Sequence, residues 1–253
     1  MNERIEKLRE QSLSTEETIS IERARLLTEF YSSGDAEKCS IPVARAKAFK
    51  YILEHKELFI GENELIVGER GPSPKATPTY PELCTHSLED FTILNDREKV
   101  SFKVSEGTRN YHAEKIIPLW SGRSMRDRIL NEMDEKWKDA YSAGVFTEFM
   151  EQRAPGHTVL DDKIYRMGMK DFKENIKITL EKLDFYKDPD AFEKKEQLQA
   201  MEIAADALIN FAKRYSKKLS ETAQQETDQR RKDELETMSG ICERVPENAP
   251  NTF

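Results

Sequence analysis

The feature that most constrains this chain lies late in it. From Asp188-Pro189 a stretch able to run to about Glu226 carries an apolar stripe at helical spacing: Ala204, Leu208, Phe211 with Ala212, Tyr215 and Leu219. That periodicity predicts one very long amphipathic helix, with Asp188-Pro189 as its cap. Shorter helical patterns precede it. The first 31 residues read as helix, with a possible capping box at Ser14-Thr15-Glu16-Glu17 and with Ile21, Ala24, Leu26, Leu27 and Tyr31 at helical spacing. After a loop over 32–40, a helix runs from Pro42 through Ala46, Phe49, Ile52 and Leu53 to His55. Ser87-Leu88-Glu89-Asp90 starts another. Residues 106–120 read as helix ending near Pro118, and 123–141 as one amphipathic helix with Met125, Ile129, Met133 and Trp137 on one face. A last helix ends near Cys242. The fold class is mainly α with a few short strands.

Two segments resist the helical reading. Leu65-Ile66-Val67 reads as a short strand or a buried extended piece. Gly71 to Pro81, GPSPKATPTYP, holds four prolines in eleven residues, so an ordered loop is predicted there rather than regular structure, with a domain linker as the alternative. Past Cys242 the chain finishes on RVPENAPNTF, which looks like a chain cut where another element should begin.

Charge excludes some functions. The 253 residues are 35% charged and carry a net charge of -8, with both signs interspersed. Phosphate backbones need a basic surface, so nucleic acid is not expected as a partner. Arg230, Arg231 and Lys232 stand among acidic residues and read as a solvated helix face. Cys39, Cys84 and Cys242 lie far apart with no CxxC, which argues against a disulfide framework and a zinc site. The charged start MNERIEKLRE is unlike a signal peptide, and no run approaches the ~18 apolar residues of a membrane span. A cytoplasmic protein without a membrane partner is the expectation.

For chemistry the residues offer one candidate. In Arg153-Ala154-Pro155-Gly156-His157-Thr158 the Pro-Gly pair forces a turn, so His157 projects from a loop and titrates near neutrality. A surface or structural histidine stays open on these residues alone, and nearby Glu148, Glu151 and Arg153 read as ordinary helix-surface charge. Cys84 with His86 lacks the further ligands of a metal site. His55 and His112 lie in charged helical stretches and carry no signal. No GxxxxGK[ST], GxGxxG, GxSxG or HExxH occurs, leaving nucleotide binding and the common hydrolase chemistries without support.

Several segments in order resemble the pyruvate formate-lyase-like (PFL) domain of glycyl radical enzymes. They are Ser20-IERARLLTEFY, Ile41-PVARAKAF, Glu64-LIVGERG with the following TPTYPE, Ile117-PLW and Phe146-TEFMEQRAPGHT. RVPENAPNTF resembles the lead into the next helix. Residues 147–158 and GERGPSP…TYPE are most similar to trans-4-hydroxy-L-proline dehydratases; glycerol and propanediol dehydratases, choline trimethylamine-lyase and isethionate sulfite-lyase have similar segments. The resemblance implies that 1–253 is the amino-terminal, helical part of an incomplete ten-stranded α/β barrel, with the glycyl radical domain absent. It implies a hydro-lyase converting trans-4-hydroxy-L-proline to 1-pyrroline-5-carboxylate, with His157 and Phe149 touching the small-molecule substrate. Partners would be the remaining barrel, the glycyl radical domain and a radical-SAM activase that installs the radical, the full-length enzyme being a homodimer.

The departures from the family pattern are specific. Cys39 is followed by Ser-Ile, Cys84 by Thr-His and Cys242 by Glu-Arg, so none stands in Cys-x-Glu; Arg244-Val245 continues Pro246-Glu247 rather than Arg-Val-x-Gly. Catalytic radical residues are therefore expected outside this chain, no cofactor is expected to bind here, and the polypeptide alone should be inactive. The rivals are a fragment of a glycerol or propanediol dehydratase or choline lyase, and a stand-alone helical interaction protein.

Overall fold

Small side chains decide the central packing. Helix α3, Ile41–His55, begins with Pro42 in its first turn and buries Ala44, Ala46 and Ala48, which lets other helices approach closely. Val43 and Ala46 rest on Ala200 of α10, Ala191–Gln225. The 35 residues of α10 make a rod about 52 Å long in this computed structural model, which describes residues 2–146 and 160–252. Farther along α10, Tyr215, Leu219 and Ala223 pack on Leu235 and Met238 of α11, Gln229–Arg244. Met169 of α9, Met169–Glu181, joins Ala205 and Ile209 on another face.

A second core lies beside this scaffold. Ala24, Leu27 and Phe30 of α2, Glu22–Ser32, meet Ala48 and Ile52 of α3 together with Ile116 and Trp120. The Trp120 indole donates to the buried Thr28 hydroxyl at 3.0 Å, so the ring is buried without stranding its N–H. Residues 106–120 are helical as expected, in three pieces: α5 Glu106–Tyr111, a π turn His112–Ile116 and α6 Ile117–Trp120. Pro118 has no N–H to return to the preceding turn, and the helix widens just before it. Ser87 and Asp90 form the expected capping box of α4, Leu88–Asp96.

Several expectations fail for identifiable reasons. The first 31 residues are not one helix. Helix α1, Glu3–Ser14, stops, and Thr18–Ser20 forms strand β1, parallel to β2, Ala76–Pro78. Backbone partners claim β1 from both sides: the Thr18 amide donates to the Lys75 carbonyl and the Ile19 amide to that of Lys103. Tertiary hydrogen bonds thus override the local helical pattern. Ser14 closes α1, its hydroxyl turned to the Gln11 carbonyl, and caps nothing after it.

The proline-rich segment is neither a linker nor wholly irregular. It contains β2 and buries Gly71, Pro78, Thr79 and Pro81. A Cβ on Gly71 would stand 2.4 Å from the Ala76 carbonyl oxygen, so no other residue fits that bend. Leu65-Ile66-Val67 is no strand, and Ile66 is 82% exposed.

The 123–141 stretch is two helices, α7 Met125–Glu132 and α8 Glu135–Ser142. Asp134 accepts from the Trp137 amide at 3.0 Å, and this mid-pattern cap wins over continuous periodicity. On α10 the N-cap position is Asp190; Asp188 accepts from the Asp190 amide two residues earlier than a true cap would. Arg231 is not solvated. Its guanidinium donates to the carbonyls of Gly61 (2.8 Å) and Glu64 (2.9 Å) and pairs with Glu234. Past α11 the chain returns: the Met169 and Lys170 amides donate to the Pro246 and Glu247 carbonyls, capping α9 from outside. Gly168 permits that approach, since a Cβ there would lie 2.2 Å from the Glu247 oxygen.

Candidate functional site

Phe149 and His157, with the Pro-Gly bend between them, lie outside the described residues. The described flanks show what the segment departs from and returns to. On its amino side α7 is pinned to the chain after the proline-rich loop: the Met125 amide donates to the Glu82 carbonyl at 2.9 Å and the Arg126 amide to that of Leu83 at 3.0 Å. The Arg126 guanidinium reaches the Tyr141 hydroxyl of α8 and, at 3.8 Å, the Cys84 sulfur. Phe146 then packs its ring against Trp137 and Tyr141, at centroid distances of 5.4 and 5.9 Å. On the carboxyl side, Leu160 and Asp161 hold left-handed backbone angles, φ 66° and 51°. Leu160 packs onto the Met169, Ala205 and Ile209 cluster of α9 and α10. The segment bearing the candidate residues therefore starts from an aromatic cluster clamped by Arg126 and ends on the central helical scaffold.

A histidine pair lies beside Cys84. His112, read in the sequence as part of a charged helix, is 1% exposed. Its Nε2–H donates to the His86 carbonyl at 2.7 Å, and its ring meets the edge of Phe91 at 4.6 Å. That fixes the tautomer and leaves Nδ1 as a buried lone pair with no donor among the described residues. Burial pushes the pKa of His112 down, and burial does the same to His86 despite Asp90 at 3.9 Å. Both rings are held neutral, and the pair ties the π turn to the start of α4. His112 stands at helical spacing from Ile116 and Trp120, which are buried with it, so periodicity could have placed it on the inner face.

The thiols do not converge with these groups on a metal. Among the described residues no group of three or more His, Cys, Asp or Glu side chains could hold a metal ion. Cys242 packs on the Tyr215–Leu219 cluster, and burial raises its thiol pKa, which suits an inert structural cysteine. Cys39 turns its S–H toward the carbonyls of Asp35 and Ala36. Nothing in this set matches a thiol poised beside a carboxylate two residues on. No described helix is long and apolar enough to cross a membrane.

Against known proteins, the pyruvate formate lyase-like family matches residues 1–253. The chain is 48% identical over 251 residues to trans-4-hydroxy-L-proline dehydratase of Clostridioides difficile, covering 99% of this chain and 32% of that protein. The crystal structure of that hydroxyproline dehydratase with trans-4-hydroxy-L-proline bound superposes with a TM-score of 0.93 over 99% of this chain and 32% of the other. The glycerol-bound B12-independent glycerol dehydratase of Clostridium butyricum superposes with a TM-score of 0.90 at 29% identity, over 100% of this chain and 32% of that one. The chain thus spans about a third of the length of the relatives it matches, and it corresponds to their amino-terminal, mostly helical part. On family match, identity and superposition together, the chain belongs to the pyruvate formate lyase-like family of glycyl radical enzymes.

Proposed function

We propose that this chain is the amino-terminal portion of a glycyl radical hydro-lyase that removes water from trans-4-hydroxy-L-proline to give 1-pyrroline-5-carboxylate. The observation that carries this reading is the 48% identity and 0.93 TM-score to a hydroxyproline dehydratase across 99% of the chain. The glycyl radical, installed by a radical-SAM activase, would supply hydrogen-atom abstraction. Its carriers are not among these residues, because no cysteine stands in Cys-x-Glu and no Arg-Val-x-Gly occurs.

What this chain would contribute is binding and leaving-group assistance. His157 on its Pro-Gly bend would hydrogen-bond the 4-hydroxyl, and donation to that oxygen makes the departing group closer to water than to hydroxide. Phe149 would pack against the pyrrolidine ring, excluding solvent and orienting it by shape. The Arg126–Tyr141 contact and the Phe146 cluster would hold the root of that segment; Leu160 would hold its other end. A glycerol or propanediol substrate is the second reading, favoured by the superposition on the glycerol-bound enzyme.

Anaerobic assay with activase and S-adenosylmethionine tests both. The 253-residue chain alone is expected to show neither a glycyl radical signal nor turnover. Joined to the remainder of a dehydratase-length polypeptide, it should dehydrate hydroxyproline in preference to glycerol or propanediol. There, His157→Ala should lower kcat/KM by about 10²- to 10⁴-fold. Steady turnover by the short chain, or full activity with Ala at 157, overturns the reading.

A further inference from the structure

We propose that the cleft between α2, α3 and the Gly68–Glu82 segment is a second binding site, for a small carboxylate with an apolar body. The cleft encloses about 470 Å³, within the range of small-ligand pockets. Its walls are mostly apolar, with Tyr31, Phe49, Ile52, Tyr80 and Phe211 facing the space.

The charges lining it are unevenly committed. Of three carboxylates, Glu82 is taken by Arg23, and Glu22 accepts from the Glu57 amide at 2.6 Å. Glu22 and Glu69 keep their charge without an ion pair in the cleft and lie close enough to favour the charged form of Lys56. Among the cations, Arg23 is held by Glu82 and stands over the Tyr80 ring, 4.0 Å from its centroid. Arg45 and Arg70 have no hydrogen bond or ion pair from their side chains to any described residue. Lys56 is the third cation and is 7% exposed. Its ammonium donates to the carbonyls of Glu69 (2.6 Å) and Arg70 (3.1 Å) and stands 5.4 Å over Phe211, with no carboxylate in contact. Four cations, Arg23, Arg45, Lys56 and Arg70, therefore line the cleft with three carboxylates, and Arg45 and Arg70 have no ion pair with any described residue, in a protein whose net charge is -8.

Burying an ammonium is costly: desolvation pushes the Lys56 pKa down, and the nearby charges of Glu22 and Glu69 offset only part of that, with no ion pair formed. An anion in the cleft would offset that cost. The apolar walls select the rest of the ligand: an aryl or branched aliphatic body lies against Tyr31, Phe49 and Tyr80 while its carboxylate turns to Lys56 and the guanidinium of Arg70 or Arg45. The same chemistry could come from a free metabolite or from an acidic side chain of the longer polypeptide. None of the residues lining the cleft is one that the hydroxyproline reading uses, so this site stands or falls apart from that reading.

Calorimetric titration of the 253-residue chain with phenylacetate tests it, with phenethylamine and benzyl alcohol as cationic and neutral controls. Saturable binding of phenylacetate alone is expected. Lys56→Met should weaken it by about tenfold or more, in keeping with charge-assisted contacts. Arg45→Gln, at an exposed position that leaves the core untouched, should weaken it severalfold. Binding retained in the longer polypeptide assigns the site to a free carboxylate, and binding lost there assigns it to a carboxylate of the chain itself. Absence of phenylacetate binding to the 253-residue chain, or equal binding of the three probes, or affinity unmoved by both substitutions, overturns the proposal.

Discussion

The scaffold of α3, α10 and α11 and the arm of α7 and α8 carry similar amphipathic patterns and have opposite fates. Along α10 the far end of the stripe is buried, with Leu219 0% exposed and Tyr215 2%, and Ala204, Leu208, Phe211 and Ala212 are partly buried. On the arm no residue is buried in either helix; Trp137 is 57% exposed and Met125 43%. An apolar stripe states that a helix can be covered; whether it is covered depends on what lies opposite. The scaffold has its partners within these residues. The arm borders the segment that carries His157 and has few.

The comparison can be broken first by truncation. Leu219→Ala should cost about 2–5 kcal/mol in urea unfolding, whereas Trp137→Ala should change stability by less than about 1 kcal/mol. Equal losses would mean the arm is packed as firmly as the scaffold. Arg231→Met should cost about 1–3 kcal/mol, because it strands the Glu64 carbonyl, removes a hydrogen bond to that of Gly61 and leaves Glu234 without this partner. A neutral result would return Arg231 to the solvated face that its sequence context suggested.

The smallest effect is the pH response of the His86–His112 pair. Both folded-state pKa values lie below the ordinary value of about 6.5, so the unfolded chain takes up protons first as pH falls. Stability is then fully present above about pH 6.5 and is lost as pH falls through the folded-state values, by no more than about 1.4 kcal/mol per pH unit for each proton. Unfolding midpoints at about pH 7.5 and about pH 5.5 should differ less in His112→Gln than in the parent chain. An unchanged difference would show that His112 does not carry the response.

What was legible of the candidate site in the sequence is a pair of candidates, Phe149 and His157, inside segments that resemble a known family, and both lie outside the described residues. Its surroundings were not. Cys84, His86, Arg126 and Tyr141 are spread over 58 positions and meet only because the α7 amides bind back to the Glu82 and Leu83 carbonyls. Lys56 reads as the charged end of a helix and is buried because a segment thirteen and fourteen residues later offers its carbonyls.

Local chemistry by itself determined α3, the Ser87 cap, the helical run over 106–120 and the long α10, because each is written in periodicity, caps or proline placement within a few turns. Tertiary structure alone decided the β1–β2 pairing, the partial burial of Arg231, the backbone partner of His112 and the unpaired arginines of the cleft. Those outcomes turn on which distant backbone group reaches a given N–H, carbonyl or charge, and that depends on how the chain closes in space.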